Sequence, residues 1–212
     1  MKRFSELMSG QTLLPIIQAN SVEQGVNTAK AMASAGLTLV EVVLRTEASL
    51  DVIKAIKSEV PDIVVGAGTV IDHTILAQAL EANADFIVTP AVSRSLLDGL
   101  NTAGVPVLPG VSNTGDIMLA YEYGYVEQKL FPASLSGGAA FLSALSSVFQ
   151  SISFCPTGGV NQQNRTDYLA LPNVFAVGGT WVAKQNWVEE KDWSSIALAC
   201  REANSPISSA VI

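Results

Sequence analysis

Strand-length apolar runs alternate with helix-length amphipathic stretches along this whole chain, and that alternation constrains the fold more than any other feature. The runs are Leu13–Gln18, Leu37–Leu44, Ile63–Thr69, Phe86–Pro90, Val105–Gly110, Val126–Pro132, Ser151–Thr157 and Val174–Trp181. They recur about every 26 residues, close to the least that a strand, a crossover helix and two turns require. Between them, Ile53, Ile56 and Val60 keep a helical period of 3.6, as do Ile71, Ile75, Leu76, Ala79 and Leu80. Ser21, Ser93, Ser112 and Asn161 stand where helix N-caps are expected. Such alternation implies parallel strands joined by right-handed crossovers, and eight units of this kind close naturally into a (β/α)8 TIM barrel. Lys2–Gly10 is predicted to form a short extra helix covering the barrel bottom. An open doubly wound sheet is the alternative, but the first run ends in Ile16-Ile-Gln-Ala-Asn20 and no GxGxxG follows it. No linker, low-complexity run or composition shift divides residues 1–212, so one domain is expected.

Composition narrows the function classes. Apolar residues make up 49% and charged residues 15% of the 212, which is incompatible with intrinsic disorder. The mean hydropathy of +0.35 raises the question of a membrane protein. The longest uncharged stretch, 130–164, is broken by Pro132, Gly137, Gly138 and Pro156, and its best apolar piece, Ala139 to Phe149, is about half a membrane span. No membrane association is expected. A net charge of −7 without any lysine or arginine cluster argues against nucleic acid as a partner, though not against a small anion held by local charge. Few charges on a largely apolar chain point instead to subunit contacts. The start, Met1-Lys-Arg-Phe-Ser-Glu6, turns polar at once, so no signal peptide is expected. Cys155 and Cys200 have no metal-type spacing and read as reduced thiols of a cytoplasmic protein.

In a barrel of this type the chemistry lies at the C-terminal ends of the strands, so polar residues within or just after the apolar runs are the informative ones. Lys129 stands inside Val126-Glu-Gln-Lys-Leu-Phe-Pro132, whereas the other six lysines fall in helix-like or terminal stretches. An enclosed lysine must pair with a carboxylate or lose its charge. The first outcome is a structural ion pair; the second is a nucleophilic amine able to form a Schiff base with a carbonyl substrate. Glu41 stands in Leu39-Val-Glu-Val-Val-Leu-Arg45, where period two puts Leu39, Glu41, Val43 and Arg45 on one face. Glu41 is deep enough for a general acid/base, or for simple neutralisation of Lys129. Arg45, about 13 Å further along the strand, reaches the rim, where a guanidinium suits capture of a carboxylate or phosphate.

Glycine-rich strand ends complete the set. Gly66-Ala-Gly-Thr69 ends the third run, with Thr69 expected on the face of Val65 and Ala67. Thr157-Gly-Gly159 and Gly178-Gly-Thr180 end the seventh and eighth, where glycines admit an anion to backbone N–H groups and where barrels often bind phosphate. His73, the only histidine, reads as a solvated surface residue, and with no clustered Asp or Cys no metal site is expected. Trp181, Trp187 and Trp193 read as packing or interface residues.

Taken in order, Val40-Glu-Val-Val-Leu-Arg-Thr-Glu47, Val65-Gly-Ala-Gly-Thr-Val70, Lys129-Leu-Phe-Pro-Ala133, Phe154-Cys-Pro-Thr-Gly-Gly159 and Val177-Gly-Gly-Thr-Trp181 resemble the 2-keto-3-deoxy-6-phosphogluconate (KDPG) and 4-hydroxy-2-oxoglutarate (KHG) aldolase family over nearly the whole chain. The resemblance implies a class I aldolase of the Entner–Doudoroff pathway, with pyruvate and glyceraldehyde 3-phosphate as products. It assigns the Schiff base to Lys129 and acid/base work to Glu41. It places Arg45 and Thr69 at the pyruvoyl carboxylate, Pro90 and Phe131 in the pocket wall, Thr157 beside the substrate chain, and Gly158, Gly159, Gly178, Gly179 and Thr180 at the phosphate. It further implies a cytoplasmic homotrimer needing no cofactor or metal beyond the lysine imine. Thr180 stands where many relatives carry serine, and Ser134-Leu-Ser136 is less polar than the family pattern; Arg45-Thr46 favours the gluconate-derived over the galactonate-derived substrate. The alternatives are a barrel acting mainly on 4-hydroxy-2-oxoglutarate, a metal-dependent aldolase or sugar-phosphate epimerase, and a non-catalytic phosphosugar-binding barrel.

Overall fold

The computed structural model describes residues 3–205. In chain order it runs α1 (Phe4–Leu7), β1 (Leu13–Ile17), α2 (Val22–Ser34), β2 (Leu39–Val43), α3 (Ser49–Glu59), β3 (Val64–Gly68), α4 (His73–Glu81), β4 (Ile87–Val88), α5 (Arg94–Leu100) and β5 (Val107–Leu108). It continues through β6 (Gly110–Val111), α6 (Thr114–Glu122), β7 (Glu127–Leu130), α7 (Gly138–Leu145), β8 (Ser153–Phe154), α8 (Arg165–Leu169), β9 (Val177–Gly179), α9 (Gln185–Glu189) and α10 (Trp193–Asn204). Every strand pairing is parallel.

Six strands form a half-barrel sheet in the order β5-β4-β3-β2-β1-β9, and β6-β7-β8 form a separate sheet of three. Isolated bridges Phe154↔Val174 and Thr157↔Gly178 connect the end of the smaller sheet with the β9 side. The strands thus form a parallel half-barrel sheet and a smaller parallel sheet linked to it by these bridges. The fifth expected strand is divided at Pro109, which has no N–H to give to a ladder. On one side of it β5 pairs with β4; on the other β6 pairs with β7, and the Pro109 carbonyl accepts from Lys129 N at 2.8 Å. Strands are also shorter than the apolar runs, whose flanking residues Phe86, Cys155 and Ala176 are buried as well.

Period two sorts the core into two layers. Val40, Val42, Val65, Ala67 and Val177 face outward into the large apolar layer under the helices. Leu14, Leu39, Phe86, Val88, Leu108, Cys155 and Ala176 face inward and form a second cluster with Phe4 and Met8 of the N-terminal segment. Phe4 packs edge-to-face on Phe86 with centroids 5.1 Å apart. Ser5 donates through N (2.9 Å) and Oγ (2.6 Å) to the Glu127 carboxylate at the start of β7. The expected covering helix is therefore present as α1; Lys2 lies outside the described residues. Buried Gln11 completes this end, donating to the Leu39 carbonyl at 3.0 Å and accepting from Thr38 N at 2.9 Å.

Helix starts follow side-chain chemistry. Ser21 and Ser93 accept from Gln24 N and Leu96 N as expected of N-caps, and Asp72 does so from Ile75 N at 2.7 Å. Two expectations shift. The cap of α6 is Asn113 rather than Ser112, whose hydroxyl instead donates to Asp116. Asn161 accepts from Gln163 N and Asn164 N in a turn ahead of α8 rather than capping it. Ile71 precedes the α4 cap and is 56% exposed, so it has no part in that helix's apolar stripe.

Candidate active site

With the N-terminal ends of the strands filled by apolar side chains, the charged inward positions fall nearer the C-terminal ends. β2 presents Glu41 and β7 presents Lys129, both buried. Lys129 Nζ lies 3.5 Å from Glu41 Oε1 and 5.1 Å from the Phe131 ring centroid. Glu41 Oε2 is buried without a hydrogen-bond partner among the described residues. A pair that served only to neutralise itself would be expected to satisfy both carboxylate oxygens and to be sealed. Here one acceptor is left open, and Lys129 lines a cavity of about 170 Å3.

Around Lys129 that cavity is bounded by Ile16, Val43, Phe131 and, at its exposed rim, Arg45. Across from them stand Thr157, Gly158, Gly159, Val160, Gly179 and Thr180. Arg45 Nε donates to Thr69 Oγ1 at 3.2 Å and meets no carboxylate among the described residues. Its guanidinium is therefore available to an anion. Thr69 does not continue the Val65–Ala67 face as period two predicts. Its φ is +64°, a left-handed conformation that costs a β-branched residue about 1–3 kcal/mol and that brings its hydroxyl to Arg45.

The opposite wall is a backbone surface. Gly158 and Gly159 have φ of +90° and +79°, and the N–H groups of Gly158, Gly159 and Val160 donate to no acceptor among the described residues. Successive unpaired amides of this kind form an anion-binding concavity. The loop after β7 braces them: Ala133 N donates to the Thr157 carbonyl (2.8 Å) and Ser134 N to that of Gly158 (3.0 Å). A Cβ on Gly159 would collide with the Ser134 hydroxyl. Ser134 appears in the sequence reading only as a departure from the family pattern, with no site role, since its place over Gly159 depends on two loops far apart in sequence. Ile16, Val43 and Val160 also line the cavity without a site role read from sequence, although Ile16 follows Leu14 on the inward face.

Besides Glu41 and Thr69, two further expected site residues, Gly178 and Pro90, do not line the cavity. Gly178 sits beneath the Thr157 hydroxyl, which a Cβ there would strike. Pro90 packs through its backbone on Gly110, the residue paired with Lys129. Cys155 lies in the inner cluster below, where burial pushes its thiol up to about 12 against a smaller opposing effect of the Lys129 charge. It stays protonated and supplies no competing nucleophile. His73 lies elsewhere, 3.0 Å from Ser95 Oγ. Among the described residues there is no group of three or more His, Cys, Asp or Glu side chains placed to hold a metal ion, and no helix is long and apolar enough to cross a membrane. A larger hollow of about 610 Å3 opens beside Lys57 and Asp85, but those two charges neutralise each other as an ion pair.

Comparison with known proteins agrees with this geometry. A sequence profile described as KDPG and KHG aldolase matches residues 4–199. A 2-dehydro-3-deoxy-phosphogluconate aldolase of Pseudomonas aeruginosa is 44% identical over 95% of this chain and 91% of its own. An Escherichia coli KHG/KDPG aldolase is 40% identical over 90% of each. Among solved structures, the KDPG aldolase of Legionella pneumophila, with pyruvate captured as a covalent carbinolamine, superposes with a TM-score of 0.93 at 33% identity, covering 96% of this chain and 99% of that one.

Proposed function

We propose, from the premise that this chain belongs to the KDPG and KHG aldolase family, that it is a class I aldolase cleaving 2-dehydro-3-deoxy-6-phosphogluconate to pyruvate and D-glyceraldehyde 3-phosphate through an imine on Lys129. The observation that carries the reading is the buried amine of Lys129, 3.5 Å from a half-unpartnered Glu41 carboxylate and open to a cavity.

Transfer of the Lys129 proton to Glu41 frees the amine, which attacks C2 of the keto acid. Glu41 then gives that proton to the carbinolamine hydroxyl, which leaves as water; a protonated imine forms and Glu41 is again a carboxylate. Glu41 takes the C4 hydroxyl proton; the C3–C4 bonding pair moves into the imine, leaving a neutral enamine, and glyceraldehyde 3-phosphate departs. Glu41 returns the proton to C3, and water hydrolyses the resulting imine to release pyruvate. Arg45 and Thr69 hold the pyruvoyl carboxylate at the rim, with Phe131 and Pro90 bounding the pyruvoyl end. The unpaired amides of Gly158 and Gly159, with Gly178, Gly179 and the Thr180 hydroxyl, take the phosphate, and Thr157 contacts the chain between.

The same reading closes residues 1–212 into one (β/α)8 barrel through the Thr157↔Gly178 side. By family resemblance it takes the protein to be a cytoplasmic homotrimer that needs neither metal nor organic cofactor. A second reading, with 4-hydroxy-2-oxoglutarate as the main substrate, is supported by the Escherichia coli relative named for both activities. It would leave the amide-lined wall with little to bind. Pyruvate release from the phosphorylated substrate, coupled to lactate dehydrogenase with EDTA present, tests the proposal, and relative kcat/KM for the two substrates ranks the readings. Turnover that survives EDTA is expected. No turnover, and no pyruvate fixed to Lys129 by borohydride, would overturn both.

A further inference from the structure

We propose that Gly68 is a positioning residue for Glu41: by lacking a side chain it leaves the slot on β3 that the Glu41 carboxylate occupies, and so sets where that carboxylate stands relative to Lys129. The mechanistic consequence rests on Glu41 being the acid/base of the proposed reaction; the steric claim does not.

β2 and β3 are parallel neighbours, with Glu41 opposite Gly66 and Val43 opposite Gly68. The Glu41 side chain leans along its strand to the level of Gly68. A Cβ at 68 would overlap Glu41 Oε1 and lie 2.7 and 2.8 Å from its Cδ and Cγ, well inside van der Waals contact. All three of these nearest atoms belong to the Glu41 side chain. Gly68, unlike Gly158 and Gly159, has no left-handed φ, so its backbone accepts any residue and only space demands glycine.

Little else fixes the carboxylate. It has no backbone or hydroxyl donor among the described residues, and its one polar partner there, Lys129 at 3.5 Å, is at the outer limit of a hydrogen bond. Shape replaces hydrogen bonding as the means of orientation. Gly66, two residues earlier on the same face, does a different task, because a Cβ there would run into the Phe86 ring of the inner cluster. One strand thus carries a glycine for the apolar floor and a glycine for the reactive carboxylate.

Two readouts separate positioning from general disruption. Exchange of the pyruvate methyl protons with D2O, followed by NMR, requires proton transfer at C3; borohydride trapping of pyruvate requires only the Lys129 imine. Gly68→Ala is expected to slow exchange about 10²-fold, the scale of a misplacement near 1 Å, while trapping persists. Parallel loss of both readouts in a folded variant, or unchanged exchange, would overturn the inference. Undiminished exchange in Glu41→Gln would overturn the acid/base assignment instead. Melting temperature tests the steric claim independently of chemistry and also covers failure of Gly68→Ala to fold. In a Glu41→Ala/Lys129→Met background, which removes both buried charges, Gly68→Ala is expected to be tolerated. An undiminished loss of stability in that background would show that the glycine serves the backbone and not Glu41.

Discussion

The inward face of the sheets has two ends that follow opposite rules. At the N-terminal end Phe4, Met8, Leu14, Leu39 and Phe86 fill the interior, and the nearby polar side chains of Ser5 and Gln11 are hydrogen-bonded. At the C-terminal end a carboxylate oxygen and three backbone amides lack partners among the described residues, a threonine sits in left-handed backbone, and two cations flank a cavity. The same strands supply both ends. Dense packing below provides the rigidity that keeps unpaired and strained groups in place above.

Substitutions that exchange the properties of the two ends test this contrast. The largest effect is expected from Lys129→Ala, which removes the proposed nucleophile and should abolish turnover in the coupled assay; a label on any other lysine after borohydride reduction with pyruvate would move the Schiff base elsewhere. Glu41→Gln is expected to lower cleavage by about 10²–10⁴-fold, the usual yield of positioned proton transfer, with imine trapping retained. At the packed end Phe4→Ala should cost about 3–5 kcal/mol of unfolding free energy, measured by urea denaturation, while kcat of the folded fraction stays near its original value. A comparable loss of kcat would show that the two ends are not separable. Gly159→Ala, which forces a Cβ into left-handed backbone against Ser134, should raise KM for the phosphorylated substrate about tenfold, the equivalent of roughly 1–2 kcal/mol, and leave KM for 4-hydroxy-2-oxoglutarate little changed.

A further effect, confined to alkaline solution, is on pH dependence. Burial pushes both Cys155 and Cys200 up to about 12 from an ordinary value of 9.0. The unfolded chain therefore ionises these thiols first. Their contribution to stability is complete below about pH 9 and is lost as pH rises toward 12. The urea midpoint should fall over that interval, and Cys155→Ala with Cys200→Ala should flatten the fall.

Much of this was legible in the chain before folding. Period two put Glu41 on the inner face with Leu39 and Arg45, and a lysine inside an apolar run marked Lys129, because burying a charge is costly enough to need a reason. The alternation of runs marked the parallel α/β arrangement and α1 as its cover. Thr69 escaped the same rule because one left-handed residue reverses which way a side chain points. Pro109 escaped it because a change of strand partner is a relation among three strands. The glycines were legible as residues but not as functions: Gly66, Gly68, Gly158 and Gly178 look alike in sequence and make room for a phenyl ring, a carboxylate, a loop and a hydroxyl in turn.

Sequence alone determined which side chains could be chemically exceptional, since burial periodicity and residue charge are local properties. Tertiary structure alone decided that Lys129 and Glu41, 88 residues apart, stand within 3.5 Å, and that Ser134 covers Gly159. Those distances depend on strand register and on the shapes packed around them, which no single stretch of chain encodes.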